Sequence, residues 1–510
     1  MSVPSTVGVL SCEHVPAAAS LGLGLAEPRG AVVPGLCCDP SRLVGRVPAG
    51  MDRLLLGLCS TPVDNQLMQE EGRRAGIEPL CVDVVVLPRS GAGSQAVAAR
   101  RARLLVAGAL ARLGAFEPPG PDGYRFALPR TLSRRSILRL RPAHLEPVPV
   151  VAHERCAAGR GCKRCLEACQ QHAIAPGRTA VAIAPQECTG CGQCVAACPV
   201  GALFLPGSTT RQILTQVRAL ARLASSELPT WEVAYRCRGG GPSETGALPV
   251  EVHCVSLLSP ALLLLPLALG AARVSVAMGG EGHEHERGTA ERLGGRVELG
   301  RRVLAALDAN PARLELSSRA HEELPDDDSG AAAYDDAWLA DEAAGDGGRL
   351  TAAVIRQLVR RFAGGEARLD VADPFSPFGA LDVNADACAL CGVCALACPT
   401  SALHCERTGG RQRLLFTPSR CVACGLCAAR CPERAAGALV LERRLTDAIL
   451  DDRTETLVEV ESAACARCGK AVESGRLQQL VGARLARAEH ATPAVRAALC
   501  DACRAPAFAL

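Results

Sequence analysis

The sequence predicts a multidomain protein of mixed α/β and α+β architecture. It comprises two α/β domains, two small cysteine-rich α+β units and a small C-terminal domain closed by four cysteines. Three observations predict this. A chain of 510 residues exceeds what one hydrophobic core fills, since single cores stop growing near roughly 250–300 residues. Apolar strand-like runs alternate with helical stretches in two regions, the pattern of a mainly parallel sheet covered by helices. Sixteen of the 28 cysteines fall into two doubled, regularly spaced sets.

The first domain, residues 1–118, holds strand candidates at Val7-Gly-Val-Leu10, Leu54-Leu-Leu-Gly-Leu58 and Val82-Asp-Val-Val-Val-Leu87. Helical character runs over Asn65–Ala75 and Gln95–Leu113. Cys12, the Cys37–Cys38 pair and Cys59 lie just past apolar segments. On Val7-Gly-Val-Leu-Ser-Cys12, Cys37-Cys-Asp-Pro40, Cys59-Ser-Thr-Pro62 and Ala75-Gly-Ile-Glu-Pro79, the region resembles the N-terminal domain of the iron–sulfur flavoprotein of heterodisulfide reductase. That resemblance implies a further iron–sulfur cluster on Cys12, Cys37 and Cys59. His14 stands where the family has another Cys, and Cys81 is the nearby substitute. A cluster wants four ligands, and the alternative is a set of buried free cysteines acting as small hydrophobes. The family's flavin domain is absent, so no flavin is expected. Gly91-x-Gly93-x-x-Ala96 is a turn before a helix, because Pro88-Arg-Ser90 separates the preceding strand from the first Gly.

Between Phe126 and Pro147 lies an Arg-rich connector with Arg130, Arg134, Arg135, Arg139 and Arg141. It is a solvated face, with a docking surface for an acidic partner as the alternative.

Residues 148–206 carry Cys156-x5-Cys162-x2-Cys165-x3-Cys169 and then Cys188-x2-Cys191-x2-Cys194-x3-Cys198-Pro199. Two-residue gaps bring three sulfurs from one tight loop onto one face of a 4Fe–4S cube, which needs four thiolates around it. Disulfides do not account for the doubled pattern. The three extra residues in the first gap lie within Ala157-Ala-Gly-Arg-Gly161, which can bulge outward, and Gln170 follows the fourth Cys where Pro is usual. A damaged or three-iron first cluster is the competing possibility. Short strands are expected at His172–Ile174, Val181–Ile183 and Ala202–Leu205.

From residue 209 to 316 a helix (Thr210–Leu223), strands (Glu232–Tyr235, Val250–Val255), a buried helix after Pro260 and a strand (Arg273–Ala277) follow in turn. On Cys237, Val252-His-Cys254, Ser259-Pro-Ala-Leu262 and Gly279-Gly280 this stretch resembles the hydrogenase delta subunit that links hydrogenase to heterodisulfide reductase. The family has further cysteines after the Gly pair for a 2Fe–2S cluster. Here Glu281-Gly-His-Glu-His-Glu286 takes that place, which predicts a docking domain without a cluster; His283 and His285 belong to an exposed polar turn, with adventitious metal binding as the alternative. Residues 321–348 are an acidic linker, with ten Asp or Glu between Glu322 and Asp346 and no basic residue, expected to be mobile. Tyr334 and Trp338 inside it are candidates for a short partner-binding motif. A helix over Leu350–Phe362 leads out of it.

The second cysteine-rich unit, residues 380–436, is regular in both halves. Cys388-x2-Cys391-x2-Cys394-x3-Cys398-Pro399 precedes Cys421-x2-Cys424-x2-Cys427-x3-Cys431-Pro432 by 21 residues, and Cys405 is left over as a structural residue. Gly392 and Gly425 relax the loop backbone. Both units resemble the bacterial two-cluster ferredoxin family. The resemblance implies a crossed pattern, in which each half lends its last Cys to its neighbour's cluster. Cys156, Cys162 and Cys165 then join Cys198, and Cys188, Cys191 and Cys194 join Cys169; Cys431 likewise serves the Cys388 loop.

In the tail, residues 455–505, Cys465-x2-Cys468 and Cys500-x2-Cys503 are separated by 31 residues. They suit Zn²⁺ held by four thiolates, with a helix over Glu473–Glu489 between the knuckles; rubredoxin-type iron uses the same geometry.

The charge balance, 56 basic against 53 acidic residues, gives no argument for nucleic acid, and all but Lys163 and Lys470 of the basic residues are Arg. No basic n-region precedes an apolar run at the start, and the run Ala261–Ala272 is too short for a bilayer. The expectation is a cytoplasmic electron-transfer protein with four 4Fe–4S clusters and a structural zinc. It would relay single electrons between redox subunits, such as hydrogenase, heterodisulfide reductase-like or other dehydrogenase partners. The alternatives are a scaffold with structural clusters and a catalytic iron–sulfur oxidoreductase subunit.

Overall fold

The computed structural model describes residues 7–16, 30–59, 65–89, 95–119, 123–127, 144–238, 246–278, 287–317, 334–339, 347–365, 367–408, 410–451, 453–474, 476–477 and 499–504. Contacts divide the chain into two compact units: residues 1–156 with 163–367, and residues 157–162 with 368–510.

The first unit begins with four parallel strands in the spatial order Gly30–Val32, Val7–Ser11, Arg53–Leu58, Val82–Val86. Every residue of Val7–Ser11 is buried, as expected where helices cover both faces of a parallel sheet. The helices Asn65–Arg74 and Gln95–Gly114 accompany it. Asp83 and Arg112 form a buried ion pair between strand and helix, and Arg112 also donates to the Glu251 carbonyl at 2.6 Å. Parallel strands place their carboxyl ends along one edge. Cys12 and Cys59 directly follow two neighbouring strands there, and Cys37 follows the third. Cys81 precedes Val82–Val86 and therefore sits at the opposite edge, which corrects its expected role as a substitute ligand. The Gly91-x-Gly93 turn lies outside the described residues, and the helix that follows it begins at Gln95.

The ends of the expected Arg-rich connector are not loop. Tyr124–Ala127 and His144–Pro147 form an antiparallel ladder, tied by an Arg125–Glu146 ion pair. The five connector arginines named above lie outside the described residues. Next come the two-residue ladders of the first cysteine unit, Val150–Val151 with Leu203–Phe204 and Ile174–Ala175 with Ala182–Ile183. Each of these strands has two residues, shorter than the expected segments.

A second all-parallel sheet follows, in the order Leu248–Val252, Glu232–Cys237, Arg273–Ala277, Leu314–Ser317. The helix Thr210–Glu227 starts at a capping box, Thr209 and Gln212 each bonding the other's backbone N–H. It packs on Gln95–Gly114, where Gly108 allows close approach: a Cβ there would lie 2.9 Å from Leu220. Pro260–Ala268 is buried at every position. Two elements were not anticipated, the helix Arg287–Ala306 and the closing strand Leu314–Ser317. The expected helix after the linker begins earlier, at Gly347. The polar turn with His283 and His285 lies outside the described residues.

Residues 334–339 correct the expectation of a mobile linker over that stretch. Arg218 on the Thr210–Glu227 helix pairs with Asp336 at 2.6 Å, the Tyr334 hydroxyl donates to Asp336 at 2.7 Å, and Leu339 is fully buried. Trp338 donates to the Asp335 carbonyl of its own turn. Most of the linker's remaining residues lie outside the described ones.

The second unit is antiparallel. Asp370–Ala372 and Gly379–Val383 flank Leu439–Thr446. A four-stranded sheet runs Leu403–Thr408, Arg411–Phe416, Glu455–Ala464, Ala471–Ser474. Its core joins Leu390, Leu414, Phe416, Leu439 and Val458 to the cysteine loops. In the tail, Ala471–Ser474 is strand, which corrects the expected start of a helix at Glu473; residues 478–498 lie outside the described residues. Among the described residues no helix is long and apolar enough to cross a membrane.

Candidate metal centres

In the first unit, the loop from Cys188 to Cys198 turns on two left-handed glycines, Gly190 (φ 68°) and Gly192 (φ 77°). It then makes a short helix, Gln193–Ala197, with Cys198 as its C-cap. The turns leave backbone N–H groups facing sulfur: Gly190 donates to Cys188 Sγ at 3.4 Å and Ala202 to Cys198 Sγ at 3.2 Å. Cys188, Cys191 and Cys194 line one cavity together with Cys169, the last Cys of the other half; Cys198 is not part of that wall. Burial, then neighbouring thiols, push Cys194 well above its ordinary pKa, and burial likewise raises Cys188 and Cys191. Thiols raised in this way become thiolates when a cation sits among them, which fits an iron-bearing group.

This cavity has a wall that sequence analysis did not anticipate. Cys254 and Thr289 of the neighbouring α/β fold also line it. Cys254 Sγ lies 3.1 Å from Ser256 Oγ, whose hydroxyl donates to the Cys191 carbonyl, and the buried Arg296 donates to the Ser256 carbonyl at 2.6 Å. Gln193 donates to the Thr289 carbonyl at 3.1 Å, and the Thr289 hydroxyl to Gln170 at 3.3 Å. Gln170, at the place where Pro is usual, was the one signal in the sequence.

In the second unit, Cys388, Cys391 and Cys394 line a cavity with Cys431, while Cys398 of the first half is a charge neighbour of Cys421, Cys424 and Cys427. Burial pushes Cys394 and Cys427 to about 12 and Cys421 to about 11. Leu390 (φ 54°) and Ala423 (φ 46°) precede the second Cys of each loop in the left-handed region, a costly conformation for side-chain-bearing residues. The surrounding fold holds both. Gln412 donates to the Leu390 carbonyl at 2.8 Å and Arg443 to the Ala423 carbonyl at 3.1 Å. Cys405, expected to be merely structural, borders the Cys388 cavity and is a charge neighbour of Cys394.

Residues 155–202 and 387–435 match the 4Fe-4S dicluster domain. No curated protein matches the chain. The two dicluster stretches contain all sixteen spaced cysteines and support 4Fe–4S binding and iron–sulfur electron transfer.

Outside the dicluster domains, two further groups gather. The Sγ atoms of Cys465, Cys468, Cys500 and Cys503 all lie within 4.8 Å of one another. The first knuckle closes by Gly469 N–H to the Cys465 carbonyl at 2.9 Å, with Gly469 left-handed (φ 73°). The Cys500 N–H donates to Cys465 Sγ at 3.3 Å and, with further backbone donors, draws the Cys465 thiol down to about 6. Four sulfurs at this spacing suit one tetrahedral ion. The second group is Cys12, Cys37 and Cys59 with His14, also within 4.8 Å of one another. The structure thus brings together all three N-terminal cysteines singled out from the sequence, and adds His14. Cys237 and Cys254 meet at the carboxyl ends of adjacent parallel strands, where the Val255 N–H donates to Cys237 Sγ at 3.4 Å.

Proposed function

We propose that the chain is an electron-transfer protein that carries four 4Fe–4S clusters and passes single electrons between partner oxidoreductase subunits. The observation that carries this reading is the crossed grouping: Cys169 with Cys188, Cys191 and Cys194, and Cys431 with Cys388, Cys391 and Cys394. In the same reading Cys156, Cys162 and Cys165 act with Cys198, and Cys421, Cys424 and Cys427 with Cys398. Each cluster, when bound, takes up and releases one electron.

The chain's residues set the conditions for that exchange. The thiolates hold the charge, and amide donors such as Gly190 and Ala202 spread negative charge from sulfur, which favours the reduced state. Burial of Cys194, Cys421 and Cys427 keeps water away from the sulfurs. Gln412 and Arg443 hold the strained loops in place, so little backbone rearrangement accompanies electron exchange. The two parallel-sheet domains serve as docking modules for redox partners, in a complex resembling the heterodisulfide reductase–hydrogenase group. The four-cysteine tail is a structural zinc clip.

Anaerobic iron and sulfide counting tests this. The protein should carry on the order of sixteen irons in the dicluster domains, with couples that equilibrate rapidly with a partner. In Cys431→Ser the spectroscopic loss should fall on the Cys388 loop. Eight or fewer irons after reconstitution, or loss at the Cys421 loop instead, would overturn it.

A further inference from the structure

We infer that Cys12, His14, Cys37 and Cys59 form a closed mononuclear zinc site at the carboxyl edge of the first parallel sheet, rather than a seat for a further iron–sulfur cluster. The fold supplies the site directly. Three adjacent parallel strands end side by side, so their following loops converge, the usual place for a ligand in an open α/β sheet. Cys12 and Cys37 are buried and Cys59 is partly covered, whereas His14 approaches from the exposed side.

Spacing decides between a single ion and a cube. With Zn–S near 2.3 Å and Zn–N near 2.0–2.1 Å, ligand atoms around one tetrahedral ion stand roughly 3.5–3.8 Å apart. A cubane spreads its thiolates further, because each sulfur binds a different corner iron. The four ligand atoms here all lie within 4.8 Å of one another, and Cys37 Sγ is 3.5 Å from His14 Nδ1. Among the described residues, only this group and the tail cysteines gather so tightly; the sixteen dicluster cysteines, all of them described, do not.

The outer layer agrees. Glu13 Oε1 stands 3.7 Å from His14 Nε2, the ring nitrogen remote from Cys37, where a metal-bound His commonly meets a carboxylate. Its other oxygen accepts the Gly35 N–H at 2.8 Å, which ties the loop bearing His14 to the loop bearing Cys37. Three thiolates and a neutral imidazole complete a four-coordinate shell, so the ion stabilises the edge and takes no substrate.

The test uses the full-length chain purified anaerobically from medium containing both zinc and iron, in a Cys468→Ser/Cys503→Ser background that removes the tail site. One zinc per chain should remain. His14→Ala should lose it with the iron content unchanged, and His14→Cys should retain it. Cobalt added to the metal-depleted background should give the intense visible bands of a tetrahedral thiolate site, absent in Cys59→Ser. No zinc in the background, or about four irons beyond those of the dicluster domains that depend on Cys12, Cys37 and Cys59, would overturn the inference. Should His14→Ala fail to fold, the zinc count and cobalt spectrum of the background decide alone. The dicluster proposal is unaffected either way, because its iron resides on other cysteines.

Discussion

Gly192, Gly392 and Gly425 occupy the same place in three cysteine loops, just after the second Cys, and all are left-handed, with φ of 77°, 74° and 80°. Replacing any of them with Ala forces a Cβ into that region at a cost of about 1–2 kcal/mol. The surroundings then separate them. A Cβ on Gly425 meets nothing within 4 Å, and one on Gly392 meets only Cys405 Sγ at an ordinary 3.6 Å. A Cβ on Gly192 would lie 2.5 Å from Leu257 Cβ and 3.3 Å from Leu257 Cα. Those are atoms at the root of a buried residue, which cannot swing aside as a side-chain tip does. Overpacking of this kind adds about 1–3 kcal/mol. Gly192→Ala should therefore destabilise its loop by about 2–5 kcal/mol, against about 1–2 for the other two. The excess corresponds to roughly 5- to 150-fold in local opening. Peptide-resolved hydrogen exchange of the anaerobic holoprotein reads this directly, comparing residues 188–204 with residues 388–404 and 421–437 across the three variants. Equal increments in all three would refute the argument that Leu257 packs against the loop.

Two further outcomes follow. Arg218→Ala should release residues 334–339 to protease at a cost of about 0.5–1 kcal/mol, since the pair with Asp336 is roughly a third exposed. Burial opposes the Asp336 charge, but hydrogen bonds from Tyr334 and Arg218 outweigh it and lower its pKa. The docking is thus fully present above the ordinary Asp range and lost as pH falls below about 4. Acid-induced exposure of this segment in the wild type but not in Arg218→Ala, where it is exposed already, would confirm it; exposure on alkaline titration instead would refute it. In the tail, Cys468→Ser/Cys503→Ser should release one zinc and loosen residues 453–474 while leaving dicluster iron unchanged. A red, redox-active mononuclear centre lost with the same changes would show that the ion is iron.

The sequence by itself determined what depends on local spacing. Gaps of two and three residues specify cysteine loops, because the geometry of one tight turn is set by the residues within it; the glycines after the second Cys of three loops are left-handed for the same reason. Buried parallel strands such as Val7–Ser11 and Arg53–Leu58 were legible as apolar runs. The strand Leu314–Ser317 was not, since the charged Glu315 interrupts its short apolar pattern. Residues 334–339 looked like solvated acidic chain, and an ion pair with a helix 118 residues earlier holds them. Only the tertiary structure decided which distant groups share a site. Strand order and direction carry Cys12, His14, Cys37 and Cys59 to one edge and send Cys81 to the other. The packing of one domain on another brings Cys254, Ser256 and Thr289 to the Cys188 loop. Such convergence depends on long-range topology, which no local run of residues encodes.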